Sequence, residues 1–212
     1  MEIAGLRLRT YFSLHHAQAS AFHARQALVV RVVDSEETGT PLGAHVSAAV
    51  ISAGAFLEAT GNELCESADH PKKRVKGQPS ALLKLNEHLV GEGKAPLPYD
   101  HSLWVAAKTL LDLRHRLVHY CHDWLDGGTD NMIGDTALVK SDLLPRMQAQ
   151  FEFLPPPSPY VPWFLSSDCA AWSVNTAAAF LDEVFHRLGT PAFHDHLRHR
   201  IEVNRSSIRP SP

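Results

Sequence analysis

The sequence predicts an all-α protein, a helical bundle with one irregular Pro-rich insertion before its last long helix. Three observations carry that expectation. Long stretches are free of Gly and Pro and repeat apolar residues at spacings of three and four. The breaks between them are Gly, Pro and Asp/Ser clusters, and no run alternates Val, Ile, Thr or Tyr in the manner of a strand. At 212 residues and 44% hydrophobic content, the chain is long and apolar enough to bury one sizeable core.

Taken in order, residues 11–33 form the first Gly- and Pro-free segment, which stops at the Asp-Ser-Glu-Glu-Thr-Gly-Thr-Pro break. Residues 42–66 place Val46, Val50, Ala53, Leu57 and Leu64 at spacings of four, three, four and seven, the seam of a helix packed against others. A polar break over 69–79 carries Lys72, Lys73, Arg74 and Lys76. A shorter helix over 80–90 follows, with Ser80 as its N-cap. After the loop 91–98, Asp100 or Ser102 caps a helix running to about Trp124. Residues 126–167 lose periodicity and contain Gly127-Gly128 and a Pro-rich run over 155–159, with room for a short helix within 138–153. Ser167 or Asp168 opens a last strong helix to about Leu188, closed by Gly189 and Pro191. The expected organisation is a single helical domain over 1–200, with its core in 11–125 and 168–190. The insertion spans 126–167, and 201–212 form a flexible tail.

Net charge is −3, so no global basic field attracts nucleic acid, and any such contact must come from a local patch or oligomer geometry. Three cysteines, Cys65, Cys121 and Cys169, form no CxxC pair, which argues against a disulfide framework or a zinc finger and for a reducing compartment. The N-terminus lacks the apolar core of a signal peptide, and no apolar run approaches the roughly 18 residues of a membrane span. A cytoplasmic protein without membrane contact is expected.

The chemistry concentrates in Leu-Asp-Leu-Arg-His-Arg-Leu-Val-His-Tyr-Cys-His-Asp-Trp, residues 111–124. At about 100° per residue, Leu103, Ala107, Leu110, Leu117 and Cys121 fall within about 60° of Arg114, and Leu111 and Val118 flank it on the other side. A permanent cation thus occupies the middle of an apolar stripe, where it requires a carboxylate, a phosphate or a solvated interface. Glu58 and Glu63 on the second helix are the candidate carboxylates. His115, His119 and His122 lie on one flank, about 100°, 140° and 80° from Arg114. Their i, i+4, i+7 spacing also permits a metal strip, with His194, His196 or His199 supplying a further ligand.

The string Arg114-His115-Arg116-Leu117-Val118-His119 resembles the Arg–polar–x–x–x–His signature of the HEPN superfamily, with His115 at the polar position. Ala55-Phe56-Leu57-Glu58-Ala59 resembles the second core helix of such proteins, and Cys169-Ala170-Ala171-Trp172-Ser173-Val174 a final helix. The likeness spans residues 45–188, and only the Arg/His motif within it is specific.

The resemblance implies a metal-independent RNA endonuclease of the toxin or phage-defence type, without a cofactor, or else a catalytically silent interaction or nucleotide-binding module. In the nuclease, His119 would serve as general base or acid, Arg114 would hold the scissile phosphate and His115 would orient one of them. Lys72, Lys73, Arg74, Lys76 and Tyr120 are the candidate RNA-binding residues. The implied partners are RNA, a second copy of the chain completing a composite site, and an antitoxin protein. The residues leave a third reading open, a helical-bundle hydrolase that binds a metal through its histidines.

Overall fold

The computed structural model describes residues 11–30, 39–65, 79–119, 142–151 and 166–203. Every regular element among them is helical: α1 (Phe12–Val30), α2 (Gly39–Cys65), α3 (Ser80–Gly91), α4 (Ser102–Val118), α5 (Leu143–Gln148), α6 (Ser167–Leu188), a 3₁₀ turn (Asp195–Leu197) and α7 (Arg198–Ile201). The hub is α2, which packs against α1, α3, α4 and α6, while α6 also touches α1, α3 and α4. The short α5 leans on α4, and α7 returns to α1.

The expected seam of α2 is buried at Val46, Val50, Ala53 and Leu57, with Ala49 and Phe56 widening it into the stripe a bundle core requires. Helix α2 begins at Gly39, earlier than the Thr-Pro break suggests. A proline in the first turn lacks only an N–H that would have had no intrahelical partner, so Pro41 is compatible with a helix start. Residues Pro41–Cys65 are long and apolar enough to cross a membrane by length and composition, which corrects the expectation that no run approaches that length. The Gly, Ala, Ser and Thr residues between the larger apolar ones obscure this in the sequence.

Three N-caps differ from expectation. Ser80 is the first helical residue of α3 and Pro79 holds the cap position without a side-chain bond. At α4 the cap is His101, whose Nδ1 accepts the Leu103 amide at 3.3 Å, in place of Asp100 or Ser102. The last long helix opens at Ser167 and closes at Gly189 as expected, with its cap one residue earlier than Ser167 or Asp168, at Ser166. Ser166 Oγ accepts the Cys169 amide at 3.1 Å, and Gly189 at φ 77° ends the helix with its N–H directed to Phe185 and His186 carbonyls. Burial pushes the Cys169 thiol up to about 12, so it packs as a small apolar side chain. Of the insertion, α5 and its flanks are described; the Pro-rich run lies outside the described residues.

The chain stays packed to Val203, past the expected start of the tail, with Ile201 and Val203 buried. Asp182 on α6 accepts both guanidinium nitrogens of Arg198, at 2.8 and 2.6 Å, and contacts His194 Nε2 at 2.9 Å. Arg25 on α1 donates to the Arg200 carbonyl at 2.9 Å, which ties the same segment down from the other side. His194 is buried with its ring edge-on to Phe56, centroids 5.4 Å apart.

Burial pulls the His194 pKa below its ordinary 6.5, and the Asp182 charge and hydrogen bond offset this only in part. Burial alone would raise Asp182, but the Arg198 hydrogen bond and the His194 charge outweigh it and hold that carboxyl below its usual value. Because folded His194 binds a proton less readily than the unfolded chain, its contribution is complete above about pH 6.5 and declines as pH falls through the depressed folded value. Asp182 loses its contribution only lower, through its own depressed value. The unfolding free energy is therefore expected to fall between pH 7 and 5 with a His194 slope of at most about 1.4 kcal/mol per pH unit. In His194→Gln that part of the slope should disappear, as denaturant titrations at several pH values would show.

Candidate active site

Helix α4 enters the bundle at Trp104 and leaves it at Arg114. Trp104, Ala106, Ala107, Thr109, Leu110, Leu111 and Leu113 are buried, whereas His115, Arg116, Val118 and His119 are exposed. Arg114 has the inward direction that the helical wheel assigns it, but it stands at the rim, where the stripe meets solvent. Leu117 is only partly buried and Val118 is 44% exposed, so the apolar stripe does not continue as a covered face to the end of α4.

Close approach of two helices sets the Arg114 stem. A Cβ on Gly54 of α2 would lie 3.0 Å from Arg114 Cγ and 3.3 Å from its Cβ, so a side chain there would displace the arginine. One turn further along α2, Glu58 Oε2 meets Arg114 Nη2 at 3.2 Å, with the two side chains 39% and 25% exposed. Of the two candidate carboxylates, this is the one the fold selects. Glu63 turns to α1, where its oxygens accept the Ser13 amide at 3.0 Å and the Ser13 hydroxyl at 2.6 Å. Arg114 Nε remains buried without a hydrogen-bond partner among the described residues.

The helix does not run on to Trp124. It ends at Val118, and His119 is the C-cap at φ −114°, ψ 61°, with its N–H donated to the His115 carbonyl at 2.8 Å. His119 still stands over His115, four residues earlier, where helical spacing places it. The rings of His115 and His119 stand 4.7 Å apart, tilted by 46°. The fold thus brings His119 to His115, and Arg114 to Glu58, on consecutive residues at the open end of one helix.

On the neighbouring flank, Asp112 accepts Lys108 at 2.8 Å and Arg146 of α5 at 2.8 Å. This bracket holds α5 against α4 two residues before Arg114. Sequence reading missed Asp112, Arg146 and Gly54. An isolated glycine inside a strong helical pattern was the available signal for close backbone approach.

Lys72, Lys73, Arg74, Lys76 and Tyr120, the candidate RNA-binding residues, lie outside the described residues, as do Cys121 and His122. Among the described residues no three His, Cys, Asp or Glu side chains converge as metal ligands, and His194 is engaged with Asp182.

The Arg114–Glu58 pair is half-open to water, where such a pair contributes about 0–1 kcal/mol. Glu58→Gln is accordingly expected to change the unfolding free energy by no more than about 1 kcal/mol. A loss of several kcal/mol in denaturant titration would show a structural tie instead.

The chain matches no protein-family model, no curated protein and no solved structure.

Proposed function

We propose that this protein is a HEPN-like, metal-independent RNA endonuclease, cytoplasmic and of the toxin or defence type, that works as a homodimer. The observation that supports this reading is the open end of α4. It presents an arginine whose Nε is buried without a partner among the described residues and, on the last helical turn and its C-cap, the exposed imidazoles of His115 and His119.

A forked guanidinium suits the non-bridging oxygens of a phosphodiester, and its charge is most useful as the pentacovalent transition state forms. His119 takes the proton of the ribose 2′-hydroxyl. The 2′-oxygen attacks phosphorus, the bond to the 5′-oxygen breaks, and a second imidazole protonates that leaving oxygen. The products are a 2′,3′-cyclic phosphate and a 5′-hydroxyl. A second copy related by a two-fold axis supplies the second imidazole and faces its own Arg114 toward the same phosphate. His115 orients its neighbour His119. Lys72, Lys73, Arg74 and Lys76 guide the RNA strand, Tyr120 stacks on a base, and an antitoxin protein would cover the site.

The Arg114–Glu58 contact favours a second reading, a catalytically silent HEPN-like module in which Arg114 only ties α4 to α2. The deciding experiment incubates the purified full chain with structured and single-stranded RNA in EDTA and analyses product ends. Cleavage giving 2′,3′-cyclic phosphate supports the nuclease, and no cleavage on any RNA leaves the silent module. Cleavage that stops in EDTA and returns with zinc would replace both with a metal hydrolase.

A further inference from the structure

A second histidine pair lies away from this site, between α1 and α2. His23 sits about two turns before the end of α1, and His45 nearly two turns into α2. Their Nδ1 atoms are 3.1 Å apart, with ring centroids at 5.4 Å and planes tilted by 35°. The rings meet nitrogen to nitrogen. Both residues are half-buried, and Phe22 holds the His23 ring edge-on at 5.2 Å.

We infer that His23 and His45 form a two-histidine site for a divalent transition metal, of the zinc, nickel or copper class, that clips α1 to α2. Two imidazole nitrogens bound to one zinc at about 2.0–2.1 Å stand about 3.0–3.4 Å apart, the separation that the fold already imposes. Imidazole is a good ligand for all three ions. Without metal, one Nδ1 carries a hydrogen and the other accepts it. Binding requires that hydrogen to move to Nε2 of the same ring, a change of tautomer with no net loss of a proton. No third His, Cys, Asp or Glu among the described residues completes the shell. Water fills the positions that no protein group takes. The ion binds the folded chain, in which the helices are juxtaposed, and stabilises it by mass action.

The test is a thermal melt of the full chain with zinc chloride, nickel chloride or EDTA. Zinc or nickel is expected to raise the midpoint by about 2–6 °C at concentrations well above the dissociation constant, and EDTA to reverse the rise. The rise should vanish in His23→Gln and in His45→Gln, and persist in His186→Gln, which alters an exposed histidine on α6. A wild type that does not respond, or variants at His23 and His45 that respond like wild type, would overturn the site. Imidazole nitrogen resonances give a readout that needs no variant. Zinc should shift the Nδ1 signals of His23 and His45, and unshifted signals under saturating zinc sink the proposal. Neither readout depends on RNA cleavage.

Discussion

Alanine at His119 is expected to lower the rate of RNA cleavage in EDTA by about 10²–10⁴-fold, the range for removing a positioned general acid or base. The residue is exposed at the end of α4, past the last packed turn, so the substitution should leave stability within about 0.5 kcal/mol of wild type. Activity and folding are therefore separable at this position. Arg114→Ala is expected to cost about 10²–10³-fold, as for loss of one charge-stabilising donor. It also removes the stem packed over Gly54 and leaves Glu58 without its cation, so it requires a stability control. Arg114→Lys provides one, because it keeps a charge near Glu58 but loses the fork that grips two phosphate oxygens. His115→Ala should cost less than His119→Ala, since it orients a group and transfers no proton. A fully folded His119→Ala protein that cleaves RNA at the wild-type rate would remove His119 as the proton-transferring group.

Trp104→Ala is expected to produce the largest loss of stability, about 3–5 kcal/mol. The indole is fully buried at the start of α4, 4.9 Å from the Tyr99 ring and 6.1 Å from Phe180 of α6. Both Trp104 and Phe180 sit where α4 meets the α2–α6 core, so the surrounding helices cannot close the space without moving apart. For a chain of this length the unfolding midpoint should drop by roughly 10 °C. Denaturant titration gives the free energy directly, and a change under about 1 kcal/mol would mean that α4 is not anchored there. Because α4 also carries Arg114 and His119, Trp104→Ala tests the platform of the site and His119→Ala its chemistry. Val118→Ala, at the exposed last residue of α4, should do neither.

Elements with strong local signals were legible. Helix α6 has a serine cap, a sustained apolar period and a glycine whose left-handed conformation ends it, and all three act within a few residues of chain. The seam of α2 is equally local, since burial of Val46, Val50, Ala53 and Leu57 follows from spacing alone. The length of α4 was not legible. Apolar and polar residues continue past Val118 with much the same periodicity, and nothing short-range in Leu-Val-His-Tyr marks a stop. The His101 cap was missed because Asp and Ser on either side are better capping residues by chemistry, and only the backbone geometry at the turn chooses between them.

The candidate site divides the same way. Its residue types, and the conflict of an arginine on an apolar stripe, are properties of the chain. Which carboxylate answers Arg114 is not, because Glu58 and Glu63 stand on one helix and differ in which neighbour each faces. Glu63 reaches Ser13 from 50 residues away, and only the packing of α1 on α2 decides that. The same packing brings His23 to His45 and Asp182 to Arg198, contacts with no sequence periodicity to announce them.

The sequence by itself determined that this protein is helical, where most of its helices lie and which short segment carries an unusual concentration of cation and imidazole. Those features depend on propensity, period and capping, which act over one or two turns. Tertiary structure alone decided that Arg114 stands at the rim and that Glu58, rather than Glu63, is the carboxylate beside it. Those outcomes depend on how closely α2 and α4 approach at Gly54, and the approach of two helices is settled by side chains far apart in the chain.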